Sequence, residues 1–530
     1  GTLKVPGLVR LRIDQGASLL ETEYDDQPPW PVAADSAGHS LVLARPSYGE
    51  RDAKAWDISD TMGGSPGGYN GARATSQSAV VINEFLAHTD PPFCDYIELY
   101  NHSKAAVDLS GCVLTDDPNT NRFILPPGTT IPARGFLVVY ETNLNFALSA
   151  AGERIYFKSA DLTRVLDAVD FDAQANGISS GRWPDGAPDF YPLAALTPGT
   201  NNGAILIHDI VINELMYKPI SGLDEDEYIE LYNRGTNPVN LGGWRLSAAI
   251  DYTFPTNTVL ATNGYLVVAK EPARLLASYP NLTSAIVHGP FQGALAGKGE
   301  RIVLTMPDVI LSTNSSGAAK TNLIHIAVDE VTYGTGGQWP PWAHGGGSSL
   351  ELIHPFSNHR LANNWADSDE TAKAPWTTIQ AYGPMDHGSG TANAVEGGLQ
   401  EEGECLLDDV EVIAGTSGPN LVANPGFESG QGSWVMRGNH VRSSVETGTG
   451  FGGGRSLHVR ATSRCDYGPN RIYAPLTSVP SGNVTIRAKV RWLKGWPEML
   501  LRLHGNYFEV AGRLTVPGNL GTPGARNSRA

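Results

Sequence analysis

What most constrains this chain is a block that occurs twice. Val80-Val81-Ile82-Asn83-Glu84-Phe85, then Asp95-Tyr96-Ile97-Glu98-Leu99-Tyr100-Asn101, returns as Ile210-Val211-Ile212-Asn213-Glu214-Leu215 and Glu227-Tyr228-Ile229-Glu230-Leu231-Tyr232-Asn233. An offset of about 130 residues is that of a duplicated domain and is far longer than a solenoid repeat. Further matches keep their order. Val107-Asp108-Leu109-Ser110-Gly111-Cys112 answers to Val239-Asn240-Leu241-Gly242-Gly243-Trp244, Gly152-Glu153-Arg154-Ile155 to Gly299-Glu300-Arg301-Ile302, and Val165-Leu166-Asp167-Ala168-Val169 to Val328-Asp329-Glu330-Val331. Each piece is short, alternating, rich in β-branched or aromatic residues, and bounded by Gly, Pro or Asn. That is the pattern of antiparallel strands with one buried face. The expected fold class is all-β, with tandem immunoglobulin-like β-sandwiches.

The same residues carry a family resemblance. The run from Ile-Asn-Glu through Tyr-Ile-Glu-Leu-Tyr-Asn to Leu-Gly-Gly-Trp resembles the lamin-tail domain, an immunoglobulin-like module. Outside nuclear lamins this module is common in large secreted bacterial proteins. The resemblance spans about 80–385 and departs at Cys112, where the second copy has Trp244. It places complete domains at 79–203 and 207–385. The second is longer, with extra residues between Lys270 and Gly297 that include a helical turn or two at 272–277.

Residues 1–72 parallel the last third of such a domain. Gly38-His39-Ser40-Leu41-Val42-Leu43 matches Gly347-Ser348-Ser349-Leu350-Glu351-Leu352, and Gly63-Gly64-Ser65-Pro66-Gly67 and Thr197-Pro198-Gly199 read as domain-end turns. A partial sandwich exposes unpaired edges and a naked core face, so its missing strands are expected from an upstream segment or another subunit.

Residues 386–403 are rich in Gly, Ser and Glu and read as a linker. From 404 to 516, Leu406-Leu407-Asp408-Asp409-Val410-Glu411-Val412 and Asn424-Pro425-Gly426-Phe427-Glu428 resemble jelly-roll carbohydrate-binding modules, which implies a C-terminal jelly-roll β-sandwich. The Asp-Asp-Val strand usually closes that fold, whereas here it comes first. This implies a permuted order or a strand left over from a preceding module. Residues 517–530, with Gly521-Thr522-Pro523-Gly524, read as a run-out toward a further domain.

Candidate sites follow from these readings. In jelly-roll binding modules the positions of Asp409 and Glu428 often hold structural calcium, and the acidic loop holding Asp224 and Asp226 offers hard oxygen ligands for the same ion. Trp496, Tyr467 and Trp434 are candidate glycan platforms, Trp496 foremost because it lies in a turn between Gly495 and Pro497. Cys94 with Cys112, and Cys405 with Cys465, are candidate disulfides, the alternative being four small buried thiols. Asn101, Asn281, Asn314 and Asn483 satisfy the glycosylation tripeptide and are surface candidates.

Catalysis finds no support. The twin clusters Asn83, Glu84, Glu98 and Asn213, Glu214, Glu230 recur at strand positions, which favours scaffold over glycosidase chemistry. Gly177-Ile178-Ser179-Ser180-Gly181 matches a nucleophile elbow and His344-Gly345-Gly346-Gly347 an oxyanion loop, but neither sits between a strand and a helix.

Net charge is −17, of which residues 430–530 carry +10 (fourteen Lys and Arg against four acids), leaving −27 on the rest. An acidic parent chain disfavours nucleic acid, and there is no 18-residue apolar run for membrane insertion. The first residues lack a signal-peptide pattern, so a secreted protein would be represented by its mature or shortened form. The expected function is non-enzymatic: a structural or adhesive segment of a secreted or cell-surface protein. Its expected partners are other copies of itself or neighbouring domains. The alternative is a polysaccharide-targeting region of a larger secreted enzyme.

Overall fold

The computed structural model describes residues 7–12, 18–26, 29–35, 37–50, 52–68, 75–90, 92–313, 319–466 and 468–520. Strands dominate, with one α-helix, Pro272–Ser278, among the described residues. Two compact bodies form, one of 1–208 with 305–327 and the other of 209–304 with 328–530.

In the first body, strands Phe136–Tyr140, Tyr96–Asn101, Val80–Leu86, Ser180–Arg182 and Phe190–Pro192 make a five-stranded sheet in that order. It faces a four-stranded sheet of Val165–Asp172, Gly152–Lys158, Val113–Thr115 and Phe123–Ile124. Alternation sends Ile82, Phe85, Leu99, Leu114, Phe157 and Val169 into the space between, where they form one buried cluster. This is the expected sandwich.

The N-terminal lobe rests on that sandwich, so the naked face expected of residues 1–72 is partly covered within the same body. The His39 ring carries its proton on Nδ1, which donates to Ser59 O at 2.8 Å, and Nε2 accepts the Val165 amide at 3.0 Å. Both bonds need a neutral ring, and burial lowers its pKa below the ordinary 6.5. Met62 N–H donates to Thr163 O at 2.9 Å, Arg154 binds Asp35 at 2.6 Å, and Ala33 and Ala37 pack on Tyr156 and Val165.

The second body repeats the main sheet with six strands: Val287–His288, Tyr265–Ala269, Tyr228–Asn233, Ile210–Met216, Leu350–Leu352 and Trp365–Asp367. The extra edge strand, Val287–His288, runs parallel to its neighbour and is reached through the helix Pro272–Ser278.

Beyond it lie two five-stranded sheets. One holds Trp376–Pro384, Asn483–Gly495, Gly403–Ala414, Arg455–Ala461 and Ser444–Thr447, and the other Val435–Met436, Ile472–Pro475, Ala394–Leu399, Glu498–Leu503 and Glu509–Arg513. Residues 386–403 are therefore not a linker. Ala394–Leu399 is a fully buried strand paired on both sides. Its glycines mark close packing, since a Cβ on Gly397 would lie 2.2 Å from Leu500 O and one on Gly398 2.5 Å from His440 Nε2. Likewise Trp376–Pro384, expected in the second repeat, pairs with Asn483–Gly495 along its whole length. The Asp-Asp-Val strand is central in its sheet and is not a leftover of another module.

The loop His344–Gly347 seats the C-terminal sandwich against the second repeat. Gly495 N–H donates to Gly346 O at 2.7 Å, and the Trp492 ring comes so close that a Cβ on Gly347 (φ +98°) would lie 2.6 Å from it.

Replacing His39 by Ala leaves the buried Val165 amide without its acceptor, at a cost of about 1–3 kcal/mol. Hydrogen exchange in 29–62 is expected to accelerate, with the first sandwich intact and partial rescue by His39→Gln. Unchanged exchange would show that the lobe is held by other contacts.

Candidate functional site

The duplicated Asn-Glu pair owes its position to a bulge. Pairing of Val80–Leu86 with Tyr96–Asn101 shifts register between Ile82 and Glu84, and the second copy shifts between Ile212 and Glu214. A bulge lets two successive side chains leave strict alternation, so Asn83 and Glu84 are both fully buried beside Glu98.

In the first copy every carboxylate oxygen is bonded. Glu84 Oε1 accepts from Tyr96 Oη and Ser179 Oγ at 2.6 Å and from Thr197 N at 3.2 Å, while Oε2 accepts from Thr197 Oγ1 at 2.8 Å. Glu98 accepts from Asn83 Nδ2 at 3.1 Å and from Gly199 N at 2.6 Å. Asn202 ties the same turn to Asn83 O at 3.1 Å and Arg182 O at 2.8 Å. The Thr197-Pro198-Gly199 turn is thus a stopper whose amides and hydroxyl seat on two buried acids. Burial pushes Glu98 up to about 7, helped by the charge on Glu84.

The second copy begins the same way, and among the described residues it shows no counterpart of the Thr197 and Gly199 donors. Glu214 accepts from Tyr228 Oη at 2.6 Å and Ser349 Oγ at 2.5 Å, and Glu230 from Asn213 Nδ2 at 2.8 Å. Where the stopper would sit there is a cavity of about 210 Å³ whose lining includes Glu214, Glu230, Glu351, Glu370, Tyr279 and Lys373. Asn213, Glu214 and Glu230 are half-buried, unlike their fully buried counterparts. Burial and the charge on Glu214 raise Glu230 to about 7, and both also raise Glu351. Glu370 Oε1 accepts from Ser368 and Lys373, at 2.8 and 3.0 Å, while its buried Oε2 has no hydrogen-bond partner.

The other candidates fare differently. Asp226 gives both oxygens to the Arg274 fork at 2.9–3.0 Å and accepts from Ser221, while Asp224 opens a 3₁₀ turn. That pairing engages both carboxylate oxygens of Asp226 with the arginine. Asp409 and Glu428 lie near Asp408, whose pKa burial raises with a contribution from their charges. Among the described residues no group of three or more His, Cys, Asp or Glu is spaced to hold a metal.

Trp434 is no platform. It is core, 2% exposed, and donates to Asn424 O. Trp496 is half-buried and donates to Glu498, and Tyr467 lies outside the described residues. All four cysteines are free, so neither expected bridge is present. Cys405 Sγ sits 3.9 Å from Met499 Sδ, whereas Cys465 lies near Gly398 O and Gln400. Asn101 is fully buried and holds backbone carbonyls, so it is no glycan acceptor, and Asn314 lies outside the described residues.

Sequence reasoning counted Tyr473 among the aromatics of the C-terminal module without singling it out, and missed the Arg437 and Arg471 guanidiniums that lie 5.0 and 5.4 Å from its ring centre. It also missed Glu351 and Glu370, whose roles depend on a cavity that strand patterns do not show. Ser179, in the mock nucleophile elbow, donates its hydroxyl to Glu84 at 2.6 Å and serves as one of the donors to that buried acid.

Bulged strand pairs on sandwich sheets define tandem immunoglobulin-like domains. The family model for the Lamin Tail Domain matches residues 73–178 and 206–335, one match in each copy. No curated protein matches the sequence. Among solved structures, a DUF4876 family protein from Bacteroides thetaiotaomicron is 13% identical over 34% of this chain and 71% of its own, with a TM-score of 0.19. A glycoside hydrolase family 43 arabinoxylan arabinofuranohydrolase from Bacillus subtilis, in complex with cellotetraose, is 10% identical over 81% and 82%, with a TM-score of 0.09. Neither likeness carries an argument about fold or activity.

Because Glu98 ionises near 7 when folded and near 4.5 ordinarily, the folded state holds the extra proton between these values. The first domain is therefore expected to lose stability as pH rises from about 4.5 to about 7. Glu98→Gln is expected to flatten that slope in denaturant titrations at several pH values. An unchanged slope would place the ionisation elsewhere.

Proposed function

We propose that this chain is a non-enzymatic structural or adhesive segment of an extracellular protein, whose sandwiches meet neighbours through their rims. The observation that carries the reading is the N-terminal hairpin. Among the described residues Gly7–Arg12 pairs with Ser18–Tyr24 alone, and Leu8, Val9 and Leu11 are 46–57% exposed. A two-stranded ribbon is marginal by itself, and its open edges template an added strand. The −27 and +10 division of charge adds attraction between unlike ends of two copies. A contact between unlike surfaces closes into a ring or extends as a filament.

The lamin-tail-type fold supports a non-catalytic role, as do carboxylates used as struts. No helix among the described residues is long and apolar enough to cross a membrane. Calcium at Asp409 and Glu428 is not needed for this reading.

Tyr473 favours one second reading. An aromatic ring with two guanidiniums near its centre, Arg437 bonded to its hydroxyl and Arg471 paired with Glu396, suits an acidic sugar, as a polysaccharide-targeting region would need.

Light scattering and electron microscopy at low and high salt test the first reading. Wild type is expected to form regular assemblies that weaken with salt, and the double variant Leu8→Asp, Leu11→Asp to remain monomeric with an unchanged circular dichroism spectrum. Monomers alone at every salt concentration would overturn it. Acidic polysaccharide pulled down by wild type and lost with Tyr473→Ala, but not with Trp496→Ala, would favour the second.

A further inference from the structure

The N-terminal lobe copies the closing strand pair of the second repeat at one constant offset. Leu41–Leu43 pairs with Trp56–Ile58 as Leu350–Leu352 pairs with Trp365–Asp367. The Ser40 amide donates to Ser59 Oγ at 3.1 Å, and the Ser349 amide to Ser368 Oγ at 2.9 Å. The Trp56 indole donates to Glu50 O at 2.9 Å, and the Trp365 indole to His359 O at 2.8 Å.

The two pairs differ in what lies beyond them. In each complete repeat the first strand of the pair has a second neighbour, the strand that carries the buried acid. Ser180 and Gly181 stand opposite Phe85 and Glu84, and Leu350 and Glu351 opposite Leu215 and Glu214. Among the described residues Leu41–Leu43 has Trp56–Ile58 alone. The Ser59 amide donates to Ser40 O at 2.8 Å, so by the alternation of an antiparallel ladder the amides and carbonyls of Leu41 and Leu43 point to the open side. Both leucines are half-buried, whereas Leu350 and Leu352 are buried.

Groups that receive an acid stand beside this edge. Ser179 and Ser349, just ahead of or at the start of their strands, donate to Glu84 and Glu214 and are 0% and 1% exposed. Ser40, at the same position, is exposed. Next to it runs the turn Ser65-Pro66-Gly67, the counterpart of Thr197-Pro198-Gly199. A Cβ on Gly64 would lie 2.8 Å from Ser40 Oγ, and Gly67 has a positive φ (+75°) as Gly199 has (+84°). One element of the frame is not copied. Leu20 stands where Asp329 accepts the Ile212 amide freed by the bulge, so a strand without a bulge suits this edge.

We propose that the open edge of Leu41–Leu43 takes up an extended strand of a partner protein, with an acid opposite Val42 and an apolar residue opposite Leu41, the carboxylate seated on Ser40 Oγ and the Ser65-Pro66-Gly67 turn. Main-chain bonds to Leu41 and Leu43 supply affinity, and the carboxylate fixes register. The chemistry of the occupant is that of the strands which cover the equivalent edge in the two repeats, Ile-Asn-Glu-Phe and Ile-Asn-Glu-Leu. This docking rests on the reading that the sandwiches meet neighbours through their rims, and it uses an edge distinct from the Gly7–Arg12 hairpin.

Fluorescence anisotropy of the full chain with the labelled peptide Val-Val-Ile-Glu-Phe-Leu-Ala, the first repeat's strand without Asn83, tests it. Binding is expected, with hydrogen exchange slowed in 41–43 and unchanged in 80–101. Replacing the peptide's Glu by Gln is expected to weaken binding about tenfold or more, as for hydrogen bonds to a charged group, and Ser40→Ala in the chain about threefold to tenfold. The Leu8→Asp, Leu11→Asp variant is expected to keep peptide binding while losing assembly, so that failure of the assembly reading and failure of this docking are seen separately. Absence of peptide binding would overturn the proposal, as would equal binding of the Glu and Gln peptides or binding indifferent to Ser40→Ala. So would protection of 41–43 in the chain alone that rises with its concentration, which would give the edge to a second copy.

Discussion

The constraint on which each repeat depends is the satisfaction of two carboxylates inside a sandwich. A buried acid without donors costs several kcal/mol or takes up a proton. Glu84 and Glu98 avoid the worst of this through Asn83, Tyr96, Ser179 and the stopper turn. Those donors come from positions more than a hundred residues apart, so the knot closes when the ends of the domain meet. The aliphatic core holds the sheets together, and the acid pair specifies where the last turn of the chain must go.

This dependence explains features that otherwise look unrelated. The bulge after Ile82 or Ile212 brings Asn and Glu inward together. The strand bearing Asp167 or Asp329 supplies an acceptor for the freed amide of Ile82 or Ile212, at 2.8 and 2.7 Å. That acceptor is in turn held by Arg182 in one copy and His359 in the other. The repeats therefore share a polar frame and differ in how it is finished. Differences in finish, more than in core, separate a sealed domain from one with a 210 Å³ cavity.

The strands of the repeats were legible from alternation because one face of each is apolar and the other is not. The bulge was not read from the pattern, although two polar residues stand in succession between Ile82 and Phe85. The strand Ala394–Leu399 was hidden because Gly397 and Gly398, there to let backbones approach, look like linker composition. Trp434 looked exposed because strand periodicity breaks down around it, yet its indole packs 5.0 Å from the Phe427 ring. Cysteine spacing carried no information on pairing, since Cys405 and Cys465 sit against different neighbours. The cavity was illegible because it arises from what a distant segment does or does not contribute, which local pattern does not encode.

A carboxyl group that ionises near 7 invites comparison with a catalytic acid, and the duplication argues against it. Glu98 and Glu230 reach the same value in two domains for the same first reason, burial, with a like-charged neighbour adding to it. A general acid must also present its proton to a substrate. Glu98 is 0% exposed, and the Gly199 amide and Asn83 amide group point at its oxygens. Glu230 is half-buried, and among the described residues it accepts from Asn213 with no counterpart of the Gly199 amide. Its raised pKa follows, as for Glu98, from burial first and from a like-charged neighbour second, a state that in an enzyme would be called poised. What distinguishes the two is whether the groups converging on the acid belong to a partner that comes and goes, or to the fold itself.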